Sequence, residues 1–253
     1  MLGGRSARLI AKSIVEPEHY VALVQMIRLY PAFPVVLKRY LVGGGRYPSA
    51  CRIRTPTGTV APMTYSHHDI FTVHEIFGRE DYRAAADLGV VVDVGSNIGI
   101  SALYFLTRNR TSRCYLYEPV PRNVERLRAN LARYEDRFAL QQVAVSAHGG
   151  TVDFRVEGTG RYGGIGIAGE ERITVSCRAV ADVIGEVLAL EGEIDLLKLD
   201  TEGAERDTIR AIPAEQLARI RTICFETTAP FNPDPDRFTM GFACETCRLD
   251  RRV

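Results

Sequence analysis

The sequence predicts an α/β fold, a doubly wound sheet of mainly parallel strands, preceded by an N-terminal helical and β-hairpin cap. Three observations lead there. From Gly89 onward, strand-like and helix-like segments alternate at the spacing of βαβ units. Residues 90–94 form a nearly continuous apolar run, as a central strand buried on both faces requires. That run ends in a glycine turn leading into a helix, at the edge of the sheet where such folds bind ligands.

The cap comes first. Residues 1–42 read as helical, with Val21, Val24, Ile27 and Leu29 near helical spacing and Pro31 and Pro34 breaking the pattern. Gly43, Gly44 and Gly45 mark a break. Residues 52–54 and 59–65 read as two short strands turning at Thr57 and Gly58. Ser66 then reads as a helix N-cap with Asp69 in the first turn, and Ile70, Val73, Ile76 and Phe77 give that helix an apolar face. The cap is expected to span residues 1–88, and the sheet domain residues 89–253.

In the sheet domain, the strand at 90–94 is followed by a helix over 99–107, a strand over 113–118 and a helix over 123–134. A third strand is expected over 138–145, and a fourth and fifth over 194–200 and 222–226, with a helix over 207–217 between them. Residues 151–156 and 173–177 read as a hairpin that interrupts the rhythm, joined by a glycine-rich connection over 157–169. At the C-terminus, residues 242–249 supply one strand. Either the closing strand pair is abbreviated, or the proline- and aspartate-rich stretch over 231–237 is a long crossing loop.

Composition narrows the class. The 253 residues are 46% hydrophobic and 25% charged, an ordinary globular balance that buries a core without disulfides or metal staples. With 32 basic and 31 acidic residues, the net charge of +1 gives no general attraction to nucleic acid or an anionic membrane, so small or neutral substrates are expected. The apolar stretch over 20–42 is interrupted by Gln25, Arg28, Pro31, Pro34 and Lys38, too often for a membrane span. Cys244 and Cys247 form a lone CxxC without the second pair a zinc site needs. Reduced cysteines and the lack of a secretory pattern fit a cytoplasmic protein.

The chemistry collects at the strand ends. The first strand runs into Asp93-Val94-Gly95-Ser96-Asn97-Ile98-Gly99. Its glycines let backbone approach a ligand, and the next helix offers free N–H groups. A dinucleotide site would prefer GxGxxG to seat a pyrophosphate. A carboxylate two residues ahead of Gly95 instead suits a cationic ligand, such as the amino group and sulfonium of S-adenosylmethionine. Glu118 ends the second strand, the usual place for an acid that binds the two hydroxyls of a ribose. Asp200 ends the fourth strand, with Glu202 and Glu205 close behind it around Gly203, and Glu226 ends the fifth.

Three blocks together, residues 93–99, Tyr117-Glu118-Pro119-Val120-Pro121 with Asn123 and Asn130, and Leu197-Lys198-Leu199-Asp200-Thr201-Glu202-Gly203-Ala204-Glu205, resemble the FkbM family of methyltransferases. The lead-in Glu75-Ile76-Phe77 with Tyr82 is similar to that family too. The resemblance covers about residues 70–228. It implies a class I methyltransferase (Rossmann-like) sheet and S-adenosylmethionine-dependent methyl transfer, mostly to hydroxyl oxygens of natural products, sugars and glycolipids.

On that reading Asp93, Gly95, Ser96, Asn97 and Gly99 face the methionine end of the cofactor. Glu118 with Pro119 faces its ribose, and Val143 and Ala144 its adenine. Methyl transfer to an alcohol needs the hydroxyl held in line and either deprotonated or bound to a cation. Asp200 and Glu202 are the candidate acceptor-side residues, and Asp200, Glu202 and Glu226 are the oxygen ligands that would hold Mg²⁺ if it is used. His67 and His68 are further base candidates, and His68 is counted with the catalytic set. A homodimer across the sheet edge is an open expectation. The rivals are a nicotinamide-dependent oxidoreductase, which has no use for the 200–205 block, and a non-catalytic scaffold that binds an adenosine ligand.

Overall fold

In the computed structural model the described residues are 24–42, 45–156, 163–165, 171–201 and 203–252. The chain divides into two compact units, Met1–Glu80 and Asp81–Val253. The sequence reading put this division eight residues later, at 88/89.

The first unit holds a helical turn over 24–29 and helix α1 (Phe33–Val42), then strands β1 (Ser49–Ala50), β2 (Ile53–Thr55), β3 (Gly58–Val60) and β4 (Met63–Thr64). β2 and β3 form the expected hairpin, with Thr55 opposite Gly58, while β1 pairs separately with β4. The Arg54 guanidinium donates to the carbonyls of Ile27 and Arg28 and so ties the hairpin to the first helical turn. Helix α2 (His67–Val73) starts as its sequence dictates: the Ser66 hydroxyl accepts the Asp69 N–H, and the Asp69 carboxylate accepts the Ser66 N–H. Ile70 and Val73 turn inward, and the helix continues as a π-helical stretch over His74–Arg79.

The second unit is built on a seven-stranded sheet. Strand β5 (Val90–Val94) leads into helix α3 (Ile100–Leu106), β6 (Arg113–Tyr117) and helix α4 (Pro121–Leu131). Pro121 stands at the first helical positions of α4, where its missing N–H costs nothing. Strand β7 (Phe138–Gln141) follows, then a second sheet of β8 (Ala144–Ser146), β9 (Gly150–Val156), β10 (Gly163–Ile165) and β11 (Glu171–Ala179). Helix α5 (Val180–Glu191), strand β12 (Ile194–Leu199), helices α6 (Glu205–Arg210) and α7 (Ala214–Leu217), and strands β13 (Ile220–Glu226), β14 (Phe238–Ala243) and β15 (Thr246–Arg251) complete the chain.

The main sheet has the order β14-β15-β13-β12-β5-β6-β7. Strands β7, β6, β5, β12 and β13 are parallel, and β15 runs antiparallel to both neighbours. The chain therefore winds outward from β5 through β6 and β7, then returns to the other side of β5 for β12. Winding reverses at β5, so the loops after β5, β6 and β12 lie at one switch point. Residues of β5 and of strands on both sides of it, including Val92, Tyr117, Leu197 and Ile223, are buried in one core cluster with Val183, Ile184 and Val187 of α5.

Several expectations need revision. The run over 138–145 is two strands in different sheets: β7 closes the main sheet, and β8 pairs with β11 in the second. The 207–217 helix is two short helices broken before Pro213. The C-terminus completes the sheet with a hairpin, β14 and β15, turning at Cys244 and Glu245, both in left-handed backbone conformation. The 231–237 stretch is the connecting loop, the second of the two alternatives. Helix α5 was not read from sequence at all. Its Val180, Val183, Ile184, Val187 and Leu188 nevertheless follow the i, i+3, i+4, i+7, i+8 pattern of a core-facing stripe. The expected hairpin of β9 and β11 is present, antiparallel from Glu171–Val156 to Cys177–Gly150.

Candidate functional site

The turn after β5 is shaped by packing before any ligand is considered. Gly95 has φ 76°, and a Cβ there would fall 2.0 Å from the Asp200 carbonyl oxygen, because β12 ends against the turn. Asn97 takes φ 47°, a conformation that asparagine tolerates. Gly99, at φ 84°, is the N-cap of α3, and a Cβ on it would meet the Leu127 side chain at 3.0 Å. Gly95 and Asn97 are half-buried, whereas Ser96 and Gly99 are buried, the Ser96 hydroxyl donating to the Asp93 carbonyl.

Glu118 follows β6 and is 4% exposed. Its Oε2 accepts the Asn97 N–H at 2.8 Å, and its Oε1 accepts the Val120 N–H at 3.0 Å and the Asn123 amide at 3.3 Å. Burial pushes this carboxyl up to about 7, against the pull of those hydrogen bonds and of Lys198. A carboxylate oxygen has two lone pairs, so Oε1 is filled, and Oε2 keeps one acceptor position beside the half-buried turn. Pro119 is buried behind it, and Val143 and Ala144 join β7 to β8, Val143 half-buried and Ala144 buried.

Asp93 is fully buried. Its Oδ2 accepts the Ser101 hydroxyl at 2.6 Å, and its Oδ1 lies 3.1 Å from Lys198 Nζ. The carboxylate that sequence reading turned toward a cationic ligand thus has a resident cation. Lys198, on β12 beside Asp93 in register, was quoted in the sequence block but given no role, and it is the residue on which the site converges. Its ammonium also donates to the Gly95 carbonyl at 2.9 Å, stands 3.4 Å from Asp200 Oδ2, and lies 5.2 Å from the centre of the Tyr82 ring. Burial works against the ammonium, but Asp93 and Asp200 outweigh it, and Lys198 titrates above its ordinary value.

Asp200 is the open end of this chain of charges, its side chain 26% exposed. Burial raises its carboxyl, Lys198 opposes the rise, and Glu226 and Asp93 add to it. Glu226, at the end of β13, accepts the Tyr82 hydroxyl at 2.6 Å. Glu205 does not reach the acceptor side. Its carboxylate accepts the N–H groups of Thr201 and Gly203 and so shapes the loop after β12. Glu202 lies outside the described residues, as do residues 157–162 and 166–169 of the glycine-rich connection. Among the described residues no three His, Cys, Asp or Glu side chains come together as a metal site, so nothing supports the Mg²⁺ expectation.

His68 sits in the first unit, on the first turn of α2. Its ring stacks on that of His67 with centroids 3.8 Å apart and packs edge-on to Phe71. Sequence reading therefore gathers Gly95, Ser96, Asn97, Gly99, Glu118 and Asp200 at one switch point in the second unit. It missed Lys198, Tyr82 and Ser101. The available signal was a lysine among the leucines of a strand, since a charged residue buried in a central strand needs a partner. No helix among the described residues is long and apolar enough to cross a membrane.

Residues 93–240 match the model of the methyltransferase FkbM domain. The chain is 28% identical over 201 residues to the AMB antimetabolite synthetase AmbE of Pseudomonas aeruginosa, a match covering 64% of this chain and 9% of that protein. It is 32% identical over 155 residues to the 2-O-methyltransferase NoeI of Sinorhizobium fredii, covering 54% of this chain and 62% of the relative. The chain thus spans less than two thirds of each of these relatives. A solved methyltransferase from Geobacter sulfurreducens aligns over 98% of this chain and 97% of its own, with 13% identity and a TM-score of 0.42.

Proposed function

The chain belongs to the FkbM methyltransferase family, and from that premise we propose that it is an S-adenosylmethionine-dependent O-methyltransferase acting on a hydroxyl of a natural product, sugar or glycolipid. The observation that carries the reading is Asp200: a carboxylate raised above its ordinary range, a quarter exposed, and held at the switch point beside the Gly95 turn. The similarity to a 2-O-methyltransferase supports a hydroxyl as the accepting group.

The residues present fit the cofactor that the family implies. Glu118 retains one acceptor position on Oε2 for a ribose hydroxyl, and the turn at Gly95 and Asn97 is partly open beside it. Val143 and Ala144 offer apolar surface at the β7–β8 junction for a flat base. When bound, the cofactor supplies an electrophilic methyl group on a sulfonium. Asp200 accepts the acceptor's hydroxyl proton on its carboxylate as that oxygen gains the methyl group, and then releases the proton to solvent through its exposed side. Lys198 holds the Asp200 carboxylate in place throughout.

The test is transfer of labelled methyl from S-adenosylmethionine to a panel of hydroxylated acceptors, sugars and polyketide alcohols first, with and without a chelator. Labelled methyl ethers formed by the wild type but not by Asp200→Asn support the reading. Labelled product only on nitrogen or carbon acceptors overturns it.

A further inference from the structure

We propose that Lys198 is a positioning residue for cofactor binding: its buried ammonium clamps the turn after β5 to the end of β12 and holds that turn in the conformation that admits the methionine end of the cofactor. The proposal rests on the reading of that turn given above, and it adds a residue to which neither the family match nor the sequence block gives a role.

The position argues first. β12 lies between β5 and β13, and apart from the half-buried Asp195 its other positions carry Ile194, Leu196, Leu197 and Leu199, all buried. Packing alone would place another aliphatic residue at 198. An ammonium there, 1% exposed, must be desolvated, and a buried ion pair is a poor means of stabilising a fold because matched apolar side chains do as well. The reason for a lysine therefore lies in what it holds.

Four oxygens surround Nζ: the carbonyls of Gly95 at 2.9 Å and Val94 at 3.4 Å, Asp93 Oδ1 at 3.1 Å and Asp200 Oδ2 at 3.4 Å. Two belong to the peptide units at the turn itself. Gly95 is in left-handed backbone and already makes its N–H bond to the Tyr117 carbonyl at 2.9 Å. The ammonium takes its carbonyl, so both sides of the Gly95 residue are fixed, one from β6 and one from β12. The Tyr82 ring closes a further side of the ammonium. Without the cation, the Gly95 carbonyl loses its donor and must rotate toward another, which turns the Ser96 peptide with it.

The experiment uses the full chain and two probes. S-adenosylhomocysteine carries the amino-acid end that the turn would receive, and 5′-methylthioadenosine lacks it. Lys198→Met alone strands the Asp93 charge in the core, so it is paired with Asp93→Asn. A second pair, Lys198→Gln with Asp93→Asn, keeps a neutral amide partner in the interior and decides the matter if the methionine pair does not fold. In a variant that unfolds as cooperatively as the wild type, the Kd for S-adenosylhomocysteine should rise at least tenfold, while that for 5′-methylthioadenosine moves less than threefold. Equal weakening of both probes, which general loosening would produce, overturns the proposal, as does an unchanged Kd for S-adenosylhomocysteine. Glu118→Ala serves as the control for the cofactor reading itself. If it leaves both probes unaffected, that reading fails, whatever the Lys198 variants do.

Discussion

The backbone N–H of Asn97 donates to Oε2 of Glu118 at 2.8 Å, so the end of β6 fixes the turn that ends β5. One carboxylate thus both shapes the turn and offers its remaining acceptor position to a ribose hydroxyl. Glu118→Ala removes both functions. Calorimetric titration with S-adenosylhomocysteine should show at least a tenfold rise in Kd, about 1.4 kcal/mol or more. NAD⁺ should not bind either protein. A Kd unchanged by the substitution would remove Glu118 from the site.

Glu118 should also leave a mark on stability. Burial raises its carboxyl from 4.5 to about 7 in the folded chain. The folded state then holds the proton more tightly than the unfolded state. The carboxyl's contribution is complete below pH 4.5 and is lost as pH rises through about 7, by at most about 3 kcal/mol. Between pH 5 and 7.5 the Tm of the wild type should therefore fall relative to that of Glu118→Gln. Parallel Tm curves would mean that Glu118 ionises normally.

Asp200→Asn should separate binding from chemistry. The amide keeps the shape at the end of β12 but cannot take a proton, so kcat with a hydroxyl acceptor should drop by about 10²-fold or more while the Kd for S-adenosylhomocysteine stays within threefold. Since the carboxylate form is the active one, the wild-type rate should fall as pH is lowered through the Asp200 value. Burial raises that value from the ordinary 3.8 to about 6, against the pull of Lys198. A flat rate from pH 7 down to 4 would assign the proton to another group.

In the first unit, Ser66→Ala removes one half of the capping box at α2 and exposes the Asp69 N–H. Stability should decrease by about 1 kcal/mol, read by denaturant unfolding. The affinity of the second unit for S-adenosylhomocysteine should be unchanged, because the cap acts on local helix structure alone.

Where the sequence was legible, a local rule dominated. The apolar run at Val90–Val94, the Gly95 and Gly99 turn and the Ser66 cap follow from side-chain burial, backbone freedom and short-range hydrogen bonds. Boundaries set by tertiary pairing were less legible. Nothing local in 138–145 says that Ala144 must leave the main sheet to pair with Cys177, and the left-handed Cys244 and Glu245 turn carries no glycine to announce it. Helix α5 is not announced by a local start signal: it follows β11 directly and its N-cap, Ala179, has no side chain to cap it. At the site, the strand ends gave Glu118 and Asp200, but the partner of Asp93 lies 105 residues away in sequence, at Lys198, and only the parallel pairing of β5 with β12 brings them together.

That separation bears on how the chain matures as it is made. Of the main sheet, strands β5 and β6 are made first, and their pairing places the carboxylate of Asp93 in the interior while its counter-cation is still unsynthesised. Until β12 has been added, the Asp93 carboxylate lacks its counter-cation and the Gly95 carbonyl lacks the ammonium that holds it, so the turn is not fixed from both sides. Hydrogen exchange on a chain ending at residue 192 should find the amides of Gly95 and Ser96 unprotected, whereas in the full chain both are bonded to Tyr117. The order of translation thereby delays a working site until Lys198 has been made.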